Sequence, residues 1–159
     1  MQHKERTNDD LSEVPISGRF VALDPGTKRV GVAVSDELRL IARPLPVIQR
    51  TSWKKLLLQV KDILAEYDAA ALIVGLPYNF DGSESYMTTE ARNMARKFAL
   101  SLDVPVILQD ERVTTYEARG RLWKAGFDGK EMRGVVDSEA ATIILSDFLS
   151  RIQKNPEAS

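Results

Sequence analysis

Two short apolar runs in "RFVALDPGTKRVGVAVSD", residues 19–36, limit the fold of this chain more than any other stretch. Runs of this length, rich in Val and Ala, read as strands, and so short a link can join them only as antiparallel neighbours. Pro25 suits the second position of a tight turn, and Gly26 is expected to supply the positive φ of a type II turn. A third run, "LIARPLPVIQ", reads as another strand. Pro44 and Pro46 cannot donate ladder hydrogen bonds and push it to a sheet edge.

The period then changes from two to 3.6. Trp53, Leu56, Leu57, Val60, Ile63, Leu64 and Tyr67 fall on one helical face, and Ala91, Met94, Ala95, Phe98, Ala99 and Leu102 on another. Between and after them, "AALIVG" (70–75) and "VPVILQ" (104–109) read as buried strands. Thr114 and Glu117 fit a capping box opening a third helix, and a charged, Gly-containing link over 126–134 leads to a last helix near Asp137. Strands separated by helices form right-handed parallel units. The expected fold is therefore α/β: a five-stranded mixed sheet, its first three strands antiparallel and the rest parallel, with helices on both faces. A disordered leader over 1–18, one domain over 19–152 and a tail over 153–159 complete the organisation.

Composition removes several chemistries. There is no Cys, so thiol nucleophiles, disulfides and thiolate metal sites are excluded. The single histidine, His3, lies in the polar leader, which takes imidazole catalysis out of the folded part. No apolar run approaches the ~20 residues that span a bilayer. The leader lacks the apolar core of a secretory signal, so a cytoplasmic location without membrane contact is the expectation. A net charge of −1 does not mark a nucleic-acid binder, but residues 112–134 carry six basic and three acidic side chains. Arg119, Arg121 and Lys124 suit phosphate contacts and solvated surface equally.

Carboxylates remain. Asp24 ends a strand expected to be central, and Glu111 follows the carboxyl end of a parallel strand, where open α/β sheets bind ligands. Counting from Asp137, Ala140, Ala141, Ile144, Leu145, Phe148, Leu149 and Ile152 make the apolar stripe of a helix, which turns Asp137 toward the sheet. Each acid alone has a plainer role: a turn opener, a partner for Arg112 or Lys28, a first-turn acid favoured by the helix dipole. Gathered at one sheet end, they would repel and hold protons unless a cation neutralised them. Hard divalent ions, Mg²⁺ or Mn²⁺, suit such oxygen sets. Two ions about 3.5–4 Å apart can activate water and steady the leaving oxygen of a phosphodiester.

In order and spacing, "LDPGTKRVGVAVSD", "VGLPYNFDGS", "QDERVTT" and "GVVDSEAATIIL" resemble the YqgF (RuvX-like) family. Its members are small bacterial proteins described as Holliday junction resolvases or as nucleases maturing the 5′ end of pre-16S ribosomal RNA. The resemblance spans about Arg19 to Leu149. It implies a ribonuclease H-like fold, with Asp24, Glu111 and Asp137 as the catalytic, metal-holding triad. Lys28, Arg29, Arg112, Thr114 and Thr115 would line substrate phosphates, and Asn79, Asp81 and Ser83 would border the same sheet end. Glu139 departs from the small or apolar residue usual in the family. At ~200° around the helix from Asp137 it should not share the site.

The expected activity is metal-dependent hydrolysis of nucleic-acid phosphodiesters, with pre-16S rRNA preferred over four-way DNA on the resemblance alone. Junction resolution would favour a two-fold homodimer. Two other readings stand beside it. A sugar-kinase-type ATPase half also carries an Asp-x-Gly-Thr loop, but no second phosphate loop is found here. A non-catalytic ribosome-assembly factor would bind RNA or protein without cutting.

Overall fold

The structure, a computed structural model, describes residues 7–8, 14–79, 81–111 and 138–153. Six strands form one sheet: β1 (Thr7–Asn8), β2 (Arg19–Pro25), β3 (Arg29–Ser35), β4 (Ala42–Gln49), β5 (Ala69–Leu76) and β6 (Val106–Asp110). The helices are α1 (Trp53–Glu66), α2 (Tyr86–Ser101) and α3 (Glu139–Gln153). Their order across the sheet is β1-β6-β5-β2-β3-β4. The β2–β3 and β3–β4 pairs are antiparallel, and β2–β5, β5–β6 and β1–β6 are parallel. β4, with Pro44 and Pro46, lies at one edge, because prolines leave gaps that an edge tolerates.

The five expected strands are joined by a sixth. Thr7 and Asn8, from the stretch expected to be disordered, pair in parallel with Val106 and Ile107. Val14, from the same stretch, is buried in the core. Helix α3 also runs through Gln153, the first residue of the expected tail. The Thr114 helix, the basic segment 112–134 and the rest of the tail lie outside the described residues.

Alternation along each strand divides the core in two. Val21, Leu23, Val32, Leu72, Val74 and Val106 face one side, where α1 supplies Leu56, Val60 and Leu64 and α2 supplies Met94, Ala95 and Phe98. Phe20, Ala22, Ile73 and Ile107 face the other, against Ala141, Ile144, Leu145, Phe148 and Leu149 of α3. The apolar stripe of α3 starts at Ala141; Ala140, expected within it, is exposed in the first turn. Thr142, Ile143, Ser146 and Asp147 are buried too, so α3 is enclosed on more than its sheet-facing side. Thr142 meets the cost of burial by donating its hydroxyl to the Ser138 carbonyl at 2.9 Å.

Both other helices start at serine caps. Ser52 accepts from the Lys55 N–H at 3.2 Å. Ser85 forms a reciprocal capping box with Thr88, whose buried hydroxyl also donates to the Pro77 carbonyl at 2.5 Å. Thr88 therefore ties the start of α2 to the loop leaving β5. Thr88→Ala should destabilise the protein by ~1–3 kcal/mol, since the half-buried Ser85 N–H and Pro77 carbonyl lose their bonds. At ~2–4 °C per kcal/mol for a chain of this size, the melting temperature should fall by several degrees. An unchanged melting curve would show that this tie contributes nothing.

The β2–β3 turn differs from expectation. β2 continues through Pro25, which pairs with Val30, and Gly26 does not have positive φ. No type II turn forms there. Glycine is needed for a different reason: a Cβ on Gly26 would collide with the Arg29 carbonyl oxygen. The turn is held from outside by Arg50, whose Nη1 donates to the Gly26 carbonyl at 2.9 Å and whose N–H donates to the Lys28 carbonyl at 2.8 Å.

Candidate active site

The parallel strands β2, β5 and β6 end on one edge of the sheet, and the two described acids meet there. Asp24 follows Phe20 and Ala22 at every second position, so it shares the α3 side of β2. Glu111 directly follows β6. Strand β5 lies between them in the sheet, and at its Gly75 there is no side chain to keep them apart. A Cβ on Gly75 would stand 3.2 and 3.3 Å from Glu111 Cγ and Cδ, and 2.6 Å from Ile144 Cδ1. Glycine lets Glu111 lie across β5 beneath α3 and reach Asp24.

The two carboxyls are hydrogen-bonded to each other. Burial raises Asp24 above the ordinary carboxylate range, while the bond from Glu111 pulls it partly back. Glu111 is pushed up to about 8, first by burial, then by the Asp24 charge, its bond to Asp24 and the Asp110 charge. Glu111 thus holds the proton at neutral pH and donates it to the Asp24 carboxylate. Two desolvated acids sharing one proton form an all-oxygen donor set whose repulsion a hard divalent cation would relieve. The residues present fit such an ion. Among the described residues no group of three metal-ligating side chains occurs, and Asp137 lies outside them.

Ser138, the next residue in the chain, is fully buried. Its Oγ accepts from the Val32 N–H at 3.0 Å, where the β3–β4 register shifts. Val32 adjoins Gly31, the cross-strand partner of Asp24. The start of α3 is therefore attached to the strand beside the carboxyl pair.

The remaining expected residues fall into three groups. Lys28 and Arg29 are exposed at the β2–β3 turn, on the same sheet end as Asp24. Asn79, Asp81 and Ser83 follow β5 at that end, but they bond to one another. Asp81 Oδ1 accepts from the Ser83 N–H at 2.8 Å and its hydroxyl at 2.6 Å, and Asn79 Nδ2 donates to Ser83 Oγ at 3.0 Å. Gly82 completes this turn with φ of 90°. Arg112, Thr114 and Thr115 lie outside the described residues.

Sequence reasoning missed Gly75, Asp110, Arg50 and Ser138. Only Gly75 carried a signal: a glycine inside an apolar strand marks a close approach. Glu139 opens α3 as a first-turn acid.

A family model described as RuvX, Holliday junction resolvase, matches residues 18–151. The chain belongs to the RuvX family. A RuvX relative from Anaeromyxobacter sp. strain Fw109-5, named "Putative pre-16S rRNA nuclease", is 41% identical over 131 residues, covering 82% of this chain and 96% of that protein. A protein of the same name from Klebsiella pneumoniae strain 342 is 39% identical over 136 residues, covering 86% and 99%. Among solved structures, Thermus thermophilus RuvC in complex with a Holliday junction substrate superposes with a TM-score of 0.61. It is 17% identical, over 87% of this chain and 97% of that one. The yeast mitochondrial Holliday junction resolvase gives 0.52 at 14% identity, over 91% and 85%. These likenesses establish a RuvC-type, ribonuclease H-like fold for the RuvX chain, as the resemblance implied.

Proposed function

We propose that this RuvX chain is a divalent-metal-dependent nuclease that hydrolyses phosphodiesters of precursor 16S rRNA in the cytoplasm. The observation that carries the reading is the proton-sharing pair Asp24–Glu111 at the carboxyl edge of the sheet. The names of its full-length relatives supply the substrate.

Asp24, Glu111 and Asp137 would hold Mg²⁺ or Mn²⁺, two ions in the full arrangement. Support for Asp137 comes from its neighbour Ser138, bonded to Val32, which adjoins the cross-strand partner of Asp24. When bound, the metal would neutralise charge at the scissile phosphate and lower the pKa of a water so that it can attack once deprotonated. The chain's own groups do the rest. Glu111 would release to solvent the proton it shares with Asp24, leaving both acids ionised to hold the ion. Lys28 and Arg29 project from the turn to meet backbone phosphates, joined by Arg112, Thr114 and Thr115. The bonded turn of Asn79, Asp81 and Ser83 gives the substrate a firm wall at the same edge.

The family description favours a second substrate, the four-way DNA junction. Junction cleavage calls for a two-fold dimer that cuts two strands symmetrically, whereas trimming one RNA end does not. The two are separated by incubating wild type and Asp137→Asn with labelled precursor rRNA and with a four-way junction, in Mg²⁺, Mn²⁺ or EDTA. Metal-requiring cleavage of the RNA, lost in the variant, is expected. Paired nicks in the junction with intact RNA would transfer the assignment to DNA. Binding to RNA without cleavage in any metal would leave only an assembly factor.

A further inference from the structure

On the opposite face of the sheet from α3, a cleft of about 520 Å³ opens between the start of α1 and the outer side of α2. Its charged lining is Arg50, Arg96 and Lys97 against one acid, Glu90. Trp53 forms an aromatic wall: its ring packs on Phe98 with centroids 4.8 Å apart, and Lys97 Nζ sits 5.4 Å from its centre. The volume is that of a small-ligand site, room for a nucleotide or two of a single strand.

The cleft is coupled to the carboxyl edge. Arg50 lines it, and the same side chain donates to the Gly26 carbonyl, two residues beyond Asp24. Its backbone N–H bonds to Lys28, which stands on the turn. Glu90 lies 3.8 Å from Arg50 Nη2, and both side chains line the cleft. A strand leaving the carboxyl edge over the turn would meet Arg50 and then the two exposed cations of α2. Cations spaced along a groove with an indole in its wall are the arrangement that holds single-stranded nucleic acid without reading sequence.

We propose that this cleft binds a single-stranded segment of the nucleic-acid substrate flanking the cut, its phosphates on Arg96 and Lys97 and its sugar-base side against Trp53. Arg50 is a positioning residue that keeps the cleft in register with the catalytic edge. The proposal rests on the nuclease reading, and binding without metal keeps the two separable.

The test uses the full chain in EDTA and a fluorescent 12-nucleotide single-stranded RNA, with anisotropy read across a salt series. Each phosphate contact on a single strand adds ~0.7 to the slope of log K against log salt. Arg96→Gln with Lys97→Gln should therefore flatten the slope by about 1.4 and weaken binding about 25-fold at 0.1 M salt. Both side chains are exposed, and a melting curve matching wild type confirms the fold. Trp53→Phe should remove an RNA-induced change in indole fluorescence that Trp123→Phe retains. An unchanged slope and affinity in the double variant would overturn the cleft. A wild type that binds through the cleft but never cleaves would remove the nuclease reading and leave the cleft standing.

Discussion

Replacing Glu111 with Gln is expected to abolish cleavage and, at alkaline pH, to stabilise the metal-free protein. Loss of activity should be on the order of 10³-fold, the scale of deleting one group that stabilises charge in a transition state. Asp24→Asn should do the same. The stability change comes from the raised Glu111 pKa. In the folded chain Glu111 holds its proton up to about 8, against 4.5 for the free side chain. Between those values the native state binds more protons than the unfolded state, so wild-type stability falls as pH rises through that window. Gln keeps a neutral donor and has nothing to titrate, so its stability curve lacks that fall. The difference should open above pH 4.5 and level off above pH 8. Solvent screening of a pair that is not fully buried limits it to about 1–2 kcal/mol. At ~2–4 °C per kcal/mol, the variant should melt several degrees above wild type at pH 9. Saturating Mg²⁺ should reverse the order, because only wild type gains from binding. Calorimetry at pH 5 and 9, with and without metal, reads all four values. A Gln variant that melts below wild type at pH 9 without metal would mean that the carboxyls do not repel each other.

The second large effect concerns a residue with no chemistry of its own. Gly75→Ala places a methyl 2.6 Å from Ile144 Cδ1 and 3.2–3.3 Å from Glu111 Cγ and Cδ. The Ile144 methyl is the end of a flexible chain and can rotate away, at an overpacking cost of ~1–3 kcal/mol. Glu111 has less freedom, because it is pinned between β5 and its bond to Asp24, and it must move by a few tenths of an ångström. Misplacement on the 1 Å scale costs about 10²-fold, so a loss of ~10–100-fold in kcat is expected, with KM for the RNA little changed. Adding Ile144→Val removes the nearest clash and should recover melting temperature without recovering kcat. If the double variant regains both, the glycine serves only packing between β5 and α3. Full activity in Gly75→Ala alone would show that the position of Glu111 does not limit the reaction.

The parts of this site readable from sequence share one property: they are set by local backbone geometry. Leu56, Val60 and Leu64, or Met94, Ala95 and Phe98, repeat at helical spacing, and the structure buries them together. Pro44 and Pro46 put β4 at the edge through a missing N–H. Asp24 and Glu111 were singled out because each ends a strand. Local rules failed where the partner was distant. The Gly26 turn departs from the type II expectation, and its tip is held by Arg50, 24 positions away. The burial of Ser138 follows from an N–H in Val32, 106 positions away.

What the amino-acid order determined by itself is the list of elements and the chemistry on offer: strands with acids at their ends, amphipathic helices, no thiol and a single histidine. Only the tertiary structure decided that β5 would run beside both β2 and β6, with a glycine where a side chain would separate two carboxyls. Periodicity is a property of neighbouring residues and survives in any fold. The meeting of Asp24 with Glu111 depends on strand order and on the clearance between layers, which no short stretch of chain contains.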